Sequence, residues 1–138
     1  MELDKKVYAE IKKLSKEGNK LCDREAYQDA AAKFRLALQW VPDPKTIWEA
    51  STWLYMSLGD TLFLAGQYAE AVDCLCDALN CPDGNTNSFV LLRLGQVLYE
   101  MGELNKSKEY LLRAYMLEGK EIFDDEDDKY FSAISDIV

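Results

Sequence analysis

The sequence predicts an all-α protein built from three stacked helical hairpins and closed by a C-terminal helix. Gly18, Gly59 and Gly95 each lie in an apolar stretch that has the period of an α-helix. A small residue follows each glycine by twelve positions, and a large apolar residue follows four positions later. A unit of two helices leaves one apolar face open, so successive units are expected to cover one another as an α-solenoid.

Each unit is expected to be two antiparallel helices joined by a short turn. Gly66 and Gly102 mark that turn in the second and third units, and Glu25 holds the same position in the first. The leading glycine and the small residue are predicted to mark the closest crossing of the two helices, since neither position tolerates a bulky side chain. The large apolar residue is predicted to face the next unit. The predicted packing positions are Gly18, Ala30, Gly59, Ala71, Gly95 and Ser107.

The links between the units carry turn and capping residues. Asp43 followed by Pro44 has the chemistry of a helix N-cap with proline at the first helical position, so the second unit is predicted to begin early. Residues 82–87 are rich in proline, glycine and asparagine, as turns are. The predicted helices are 3–23, 27–40, 44–65, 68–80, 86–101 and 104–118, in units covering 8–42, 44–82 and 86–119 of a single domain over 1–138.

Residues 120–138 differ in composition from the repeats. They carry two lysines and seven acidic residues, so this segment contributes −5 to the chain's net charge of −9. The acidic run 124–128 lacks the glycine and distal glutamate of a calcium-binding EF-hand loop, which favours a solvated turn. A short helix is expected beyond the run as a cap on the last unit. Its predicted apolar face is Tyr130, Phe131, Ile134, Ile137 and Val138.

The three units resemble the tetratricopeptide repeat (TPR), in which W-x2-L-G-x2-Y is followed by A-x3-F-x2-A and a proline. The resemblance covers about residues 8–119, and the acidic tail is similar to that of small stand-alone bacterial TPR proteins. The residues that carry it are Gly18, Ala30, Phe34, Ala37 and Pro42 in the first unit, Tyr55, Leu58, Gly59, Ala71 and Ala78 in the second, and Leu94, Gly95, Leu98, Leu111 and Ala114 in the third.

The resemblance implies a binding surface, because the first helix of each TPR unit lines the concave face of the stack. Large apolar side chains mixed with single charges are typical of protein-binding surfaces. Trp53 and Met56 have an alternative role as core residues beneath a neighbouring unit. The partner-binding residues that the resemblance implies are Lys12, Lys16, Asn19, Trp53, Met56, Asp60, Phe89, Arg93 and Gln96.

One specialised form of that surface is not favoured. TPR domains that grip the C-terminal carboxylate of heat-shock chaperones use two lysines, two asparagines and an arginine. Asn19 and Arg93 match two of these positions, and Asp60 would repel a carboxylate. The remaining clamp positions hold Ser15, Ser57 and Phe89.

The composition argues against an enzyme and against several kinds of partner. The chain has no histidine, and no motif places a base beside a nucleophile, so no catalytic residue, cofactor or metal is predicted. The net charge of −9 is unfavourable for nucleic acid and for an anionic membrane surface. No apolar run is long enough to span a bilayer, and the four cysteines lack zinc-site spacing, so a reduced, cytoplasmic protein is expected. A metal site assembled from all four thiolates is the alternative.

The favoured function is a non-enzymatic module that sequesters one protein partner. The resemblance to small stand-alone bacterial TPR proteins, some of which are encoded beside secreted toxins, implies as the most specific prediction an immunity-type protein that neutralises a secreted toxin domain. The acidic charge suits that role, because many toxin domains act on nucleic acid and are basic. The alternatives are a secretion chaperone similar to type III translocator chaperones and a general adaptor or oligomerising scaffold. The first twenty residues have a charge of +2 and the last nineteen −5, so head-to-tail self-association is a further alternative.

Overall fold

Six long helices and one short one form the protein in the computed structural model, which describes residues 2–138. Within these residues there is no strand, so the predicted all-α class is confirmed. The helices are α1 (Lys5–Asp23), α2 (Tyr27–Trp40), α3 (Glu49–Leu64), α4 (Tyr68–Leu79), α5 (Ser88–Glu100), α6 (Leu104–Glu118) and α7 (Asp128–Ser132).

The helices pack in the order of a solenoid. α1 packs along α2, α3 along α4 and α5 along α6, so each pair is an antiparallel hairpin. α2 also packs on α3, and α4 on α5, which joins each hairpin to the next. Each hairpin thus covers the apolar face that its neighbour leaves open, as the repeat spacing predicts.

Each hairpin turns through one residue with a left-handed backbone. These residues are Glu25 (φ 59°), Gly66 (φ 79°) and Gly102 (φ 81°). The following amide donates back across the turn, as from Ala26 to the carbonyl of Leu21 at 2.9 Å. This Schellman bond satisfies a carbonyl at the end of the first helix and lets the chain reverse within three residues.

The three leading glycines lie directly beneath large side chains of their own hairpins. Each of these large side chains fills the hollow left by the missing glycine side chain, and their predicted contact with the next unit stays a prediction. Ser107 lies at the crossing of α5 and α6, where its Oγ donates to the carbonyl of Gly95 at 2.6 Å. The nearest atoms to an added Cβ would be Phe34 Cζ at 2.8 Å from Gly18, Leu75 Cγ at 2.6 Å from Gly59 and Leu111 Cδ2 at 2.7 Å from Gly95.

The second hairpin begins later than predicted. Pro44 lies in extended backbone before a short 3-10 helix, Lys45–Ile47, and α3 begins only at Glu49. Trp48 is also extended, and its indole Nε1 donates to the carbonyl of Pro42 at 2.9 Å. This bond holds residues 42–48 as a loop across the entry to α3.

The C-terminal segment caps the third hairpin, but with a shorter apolar face than predicted. Tyr130 is 6% exposed and Ile134 0%, and both pack with Phe123 against α5 and α6. α7 ends at Ser132, and the chain continues in turns. Ile137 and Val138 are therefore 53% and 47% exposed rather than part of the buried face.

A membrane-spanning element is not found among the described helices. None of them combines the length with the apolar character that crossing a bilayer would require.

Candidate functional site

The candidate site is the surface shared by α1, α3 and α5, the first helices of the three hairpins. Side-chain contacts link each of these helices to the next. Cys22 Sγ on α1 lies 3.2 Å from Thr61 Oγ1 on α3, and Arg93 Nε on α5 lies 2.8 Å from Asp60 Oδ1 on α3. We call this surface the first-helix face, and its three helices carry all nine residues that the repeat resemblance implies for partner binding.

Exposure along the first-helix face falls from α1 to α5. Lys12, Lys16 and Asn19 are exposed, because α1 is the outermost helix at its end of the stack. Trp53 and Met56 are half-buried and pack against the core, so each presents only part of its surface. Asp60, Phe89 and Arg93 are half-buried as well.

Arg93 is the most densely paired side chain of the first-helix face. Its Nε lies 2.8 Å from Asp60 Oδ1, and its Nη1 lies 3.1 Å from Glu126 Oε1. Nη1 also donates to Gln96 Oε1 at 2.6 Å. The arginine side chain is only 12% exposed. Because it pairs with two carboxylates of the same chain, its charge is already neutralised.

Two aromatic rings complete the surroundings of Arg93. Its Cζ lies 5.0 Å from the ring centroids of both Phe63 and Phe89. At that distance a guanidinium is attracted to the electron-rich ring face. The combined contacts fix the arginine in one position, and they attach Phe89 to the charged cluster.

The surroundings of Asp60 oppose its ionisation. Burial raises the pKa of the Asp60 carboxyl, the Arg93 guanidinium lowers it, and the Glu126 carboxylate raises it further. Removing Arg93 would therefore leave two carboxylates close together without their shared cation.

Besides Arg93, three further groups hold the acidic C-terminal segment against α5. Gln96 Nε2 donates to Glu126 Oε1 at 2.6 Å, and Gln96 itself is 0% exposed. The Tyr130 hydroxyl donates to Glu100 Oε1 at 2.7 Å, and Lys129 Nζ lies 2.6 Å from the same oxygen. Gln96, which the resemblance implies for partner binding, therefore has no exposed surface to offer a partner.

Sequence reasoning missed Glu126 as a member of this cluster. Arg93 and Glu126 are 33 residues apart, and the acidic run offers several carboxylates of equal chemistry. The one available signal was Arg93 itself, because an arginine on a half-buried helix face needs a partner. The unfavourable match to a chaperone-tail clamp is consistent with this geometry, since Asp60 lies beside Arg93.

A groove of about 400 Å³ opens at the start of α5, next to the Arg93 cluster. Ser88 and Phe89 line it on α5, and its other walls come from the end of α6 and the following 3-10 helix, Lys120–Phe123. Ser88 Oγ donates to Glu118 Oε1 at 3.1 Å. The lining residues are Ser88, Phe89, Glu118, Glu121 and Ile122.

The cysteines are free thiols that lie within or beside the packed helices. Burial raises the pKa of the Cys74 thiol to about 11, which disfavours the thiolate form that binds metals. Across residues 2–138, no three potential ligands among histidine, cysteine and the acids are grouped so as to hold a metal ion.

Comparison with known proteins identifies the repeat. A family model described as the tetratricopeptide repeat matches residues 90–121, which span most of α5 and α6. No curated protein matches the sequence.

Solved TPR structures share the fold at low sequence identity. The type III secretion chaperone SycD of Yersinia enterocolitica, in complex with a peptide of the translocator YopD, has a TM-score of 0.72 at 17% identity, over 91% of this chain and 89% of that one. The Sgt2 TPR domain from Aspergillus fumigatus has a TM-score of 0.71 at 20% identity, over 92% of this chain and 76% of that one. The first TPR domain of human RPAP3 has a TM-score of 0.73 at 18% identity, over 92% of this chain and 94% of that one.

The fold and the family match define an α-solenoid of helical hairpins with a capping segment. Residues 90–121 match the tetratricopeptide repeat, and the chain as a whole has the fold of TPR structures, as the spacing of its glycines predicts.

Proposed function

We propose that this protein is a non-enzymatic interaction module that holds one protein partner on its first-helix face. The observation that carries the proposal is the composition of that face. Trp53, Met56 and Phe89 offer partly exposed apolar surface, and Lys12 and Lys16 lie exposed on the neighbouring helix. In protein interfaces, a few large anchor residues surrounded by polar and charged groups contribute most of the binding energy.

Binding of a peptide has a precedent in a protein of similar architecture. SycD was solved with a peptide of the translocator YopD, and its stack aligns with 91% of this chain. This supports a role as a chaperone that keeps a secreted partner bound before its export. The predicted immunity-type role needs the same surface and differs only in what the partner does. The acidic charge of the chain supports it.

The first test compares a variant of a first helix, α3, with a variant of a second helix, α2. Trp53→Ala with Met56→Ala removes two anchors of the first-helix face, and Leu36→Ala with Trp40→Ala removes two exposed apolar side chains of α2. Affinity purification from the native host, with mass spectrometry, identifies the partner of the unaltered protein. We expect the first variant to bind that partner about tenfold more weakly and the second to bind it unchanged.

A further variant keeps this test valid if loss of Trp53 weakens the fold. Lys12 and Lys16 are exposed, so replacing both with alanine should leave thermal unfolding unchanged and weaken binding about threefold. Recovery of no stoichiometric partner, or equal loss in the α2 variant, would refute binding on the first-helix face.

The two specific roles differ in what the captured partner does. An immunity role predicts that expression of the partner alone stops growth and that co-expression of this protein restores it. A chaperone role predicts a harmless partner whose export fails when this protein is absent. Each outcome excludes the other role.

A further inference from the structure

The groove at the start of α5 and the Arg93 cluster meet at Phe89. The Phe89 ring lies 5.0 Å from the Arg93 guanidinium and also lines the groove that Glu118, Glu121 and Ile122 share. The apolar ring is thus common to both features. A segment bound across Phe89 would contact the groove on one side and the cluster on the other.

Carboxylates outnumber cations around this ring. Asp60 and Glu126 pair with Arg93, whose side chain is 12% exposed, so its charge is already compensated. Glu118 and Glu121 are exposed at the groove and make no ion pair among the described residues. Their negative charge is therefore available to a ligand.

We infer that the third-hairpin end of the first-helix face binds a partner segment in which a lysine or arginine stands next to an apolar side chain. The inference rests on the proposed function and specifies the chemistry of its partner. The apolar side chain would pack on Phe89 and Ile122, and the cation would lie between Glu118 and Glu121. An acidic segment would face unpaired carboxylates there, and displacing Glu126 from Arg93 would leave that carboxylate without its cation.

The test uses short fluorescent peptides and glutamine variants. One peptide alternates lysine with leucine, and the other carries glutamate in place of every lysine. Glu118→Gln with Glu121→Gln removes the groove charges while keeping side-chain size and the acceptor for Ser88. Glu103→Gln with Glu109→Gln is the matched control, because both glutamates are exposed on or beside α6 outside the groove lining.

We expect the lysine peptide to bind the unaltered protein and to lose about fivefold in affinity in the groove variant, with less than a twofold loss in the control. We also expect the glutamate peptide to bind at least tenfold more weakly than the lysine peptide. Together these results would support the inference.

Equal losses in the two glutamine variants would overturn the inference, because the peptide would then respond only to the overall charge. Tighter binding of the glutamate peptide, or no binding of either peptide, would also overturn it. None of these outcomes touches the proposed function, since that is judged by the natural partner and by the Trp53 and Met56 variant. Loss of the natural partner's binding in the groove variant, with the control unchanged, would support both.

Discussion

Arg93 connects three parts of the chain through one side chain. It pairs with Asp60 on α3, lies between the rings of Phe63 and Phe89, and pairs with Glu126 beyond α6. Charge reversal at this position would place a third carboxylate beside two half-buried ones and would destabilise the fold itself. The exposed lysines of α1 are for this reason better probes of partner binding than Arg93.

Glu25 is a turn residue at which local conformation and residue type conflict. Its φ of 59° is the left-handed value that the other two hairpin turns assign to glycine. We expect Glu25→Gly to raise the free energy of unfolding by about 0.5–1 kcal/mol, because glycine adopts this backbone without steric cost. Urea denaturation followed by circular dichroism measures the change.

Gly66→Ala is the matched control for that prediction. Nothing lies within 4 Å of the Cβ that it would add, so only the backbone conformation is tested. The free energy of unfolding of this variant should fall by about 1 kcal/mol. A Glu25→Gly variant that is no more stable than the unaltered protein would show that the first turn carries no such strain.

At the level of elements, the short cap is held to α5 by side-chain bonds as well as by apolar packing. Tyr130 packs at 5.4 Å from Tyr99, edge to face, while its hydroxyl donates to Glu100. The five-residue α7 is too short to be stable alone. The order of residues 120–138 therefore depends on the surface of the third hairpin.

The Tyr130 bond makes the cap sensitive to alkaline pH. Burial, and then the bond to Glu100, raise the pKa of Tyr130 above its usual value of about 10. A raised pKa in the folded state means that this contribution is complete below about pH 10 and is lost as the pH rises further. Tyr130→Phe should cost about 1 kcal/mol at pH 7, and the difference from the unaltered protein should shrink by pH 11.

Urea titrations at pH 7, 9 and 11 measure that difference. Tyr8→Phe serves as the control, because Tyr8 is 44% exposed and distant in sequence from the cap. A constant gap between the Tyr130 variant and the unaltered protein across this range would contradict the assigned role of the hydroxyl.

At the level of the whole molecule, the charge distribution bears on how a partner arrives. The chain carries −9, of which −5 lies in residues 120–138 beside the groove. Such a field attracts a basic partner. Salt weakens this attraction, because the Debye length falls from about 10 Å at 0.1 M to about 3 Å at 1 M. Head-to-tail self-association through the same polarity stays a prediction.

We therefore expect the association rate of the captured partner to fall about tenfold between low and high salt, with a smaller change in the dissociation rate. Stopped-flow measurements over a series of sodium chloride concentrations test this. The Glu103→Gln with Glu109→Gln variant should show a slightly weaker dependence, in proportion to its reduced charge. An association rate that is unchanged or increases with salt would argue against a basic partner.

The sequence by itself determined the number of hairpins, their order and the positions of their turns. Gly18, Gly59 and Gly95 recur with their small partners at constant offsets, and such local spacing is repeated within each unit. The all-α class and the TPR resemblance follow from that repetition, because helical period and close crossing depend on residues near in sequence.

Only the tertiary structure decided how the candidate surface is divided between exposed and internally paired residues. The pairing of Arg93 with Glu126, the burial of Gln96 and the late start of α3 at Glu49 depend on contacts that spacing does not encode. Any of several carboxylates in the acidic run could satisfy an arginine, and the folded chain determines which one comes within reach. For that reason the first-helix face is open at α1 and largely paired within the chain at α5.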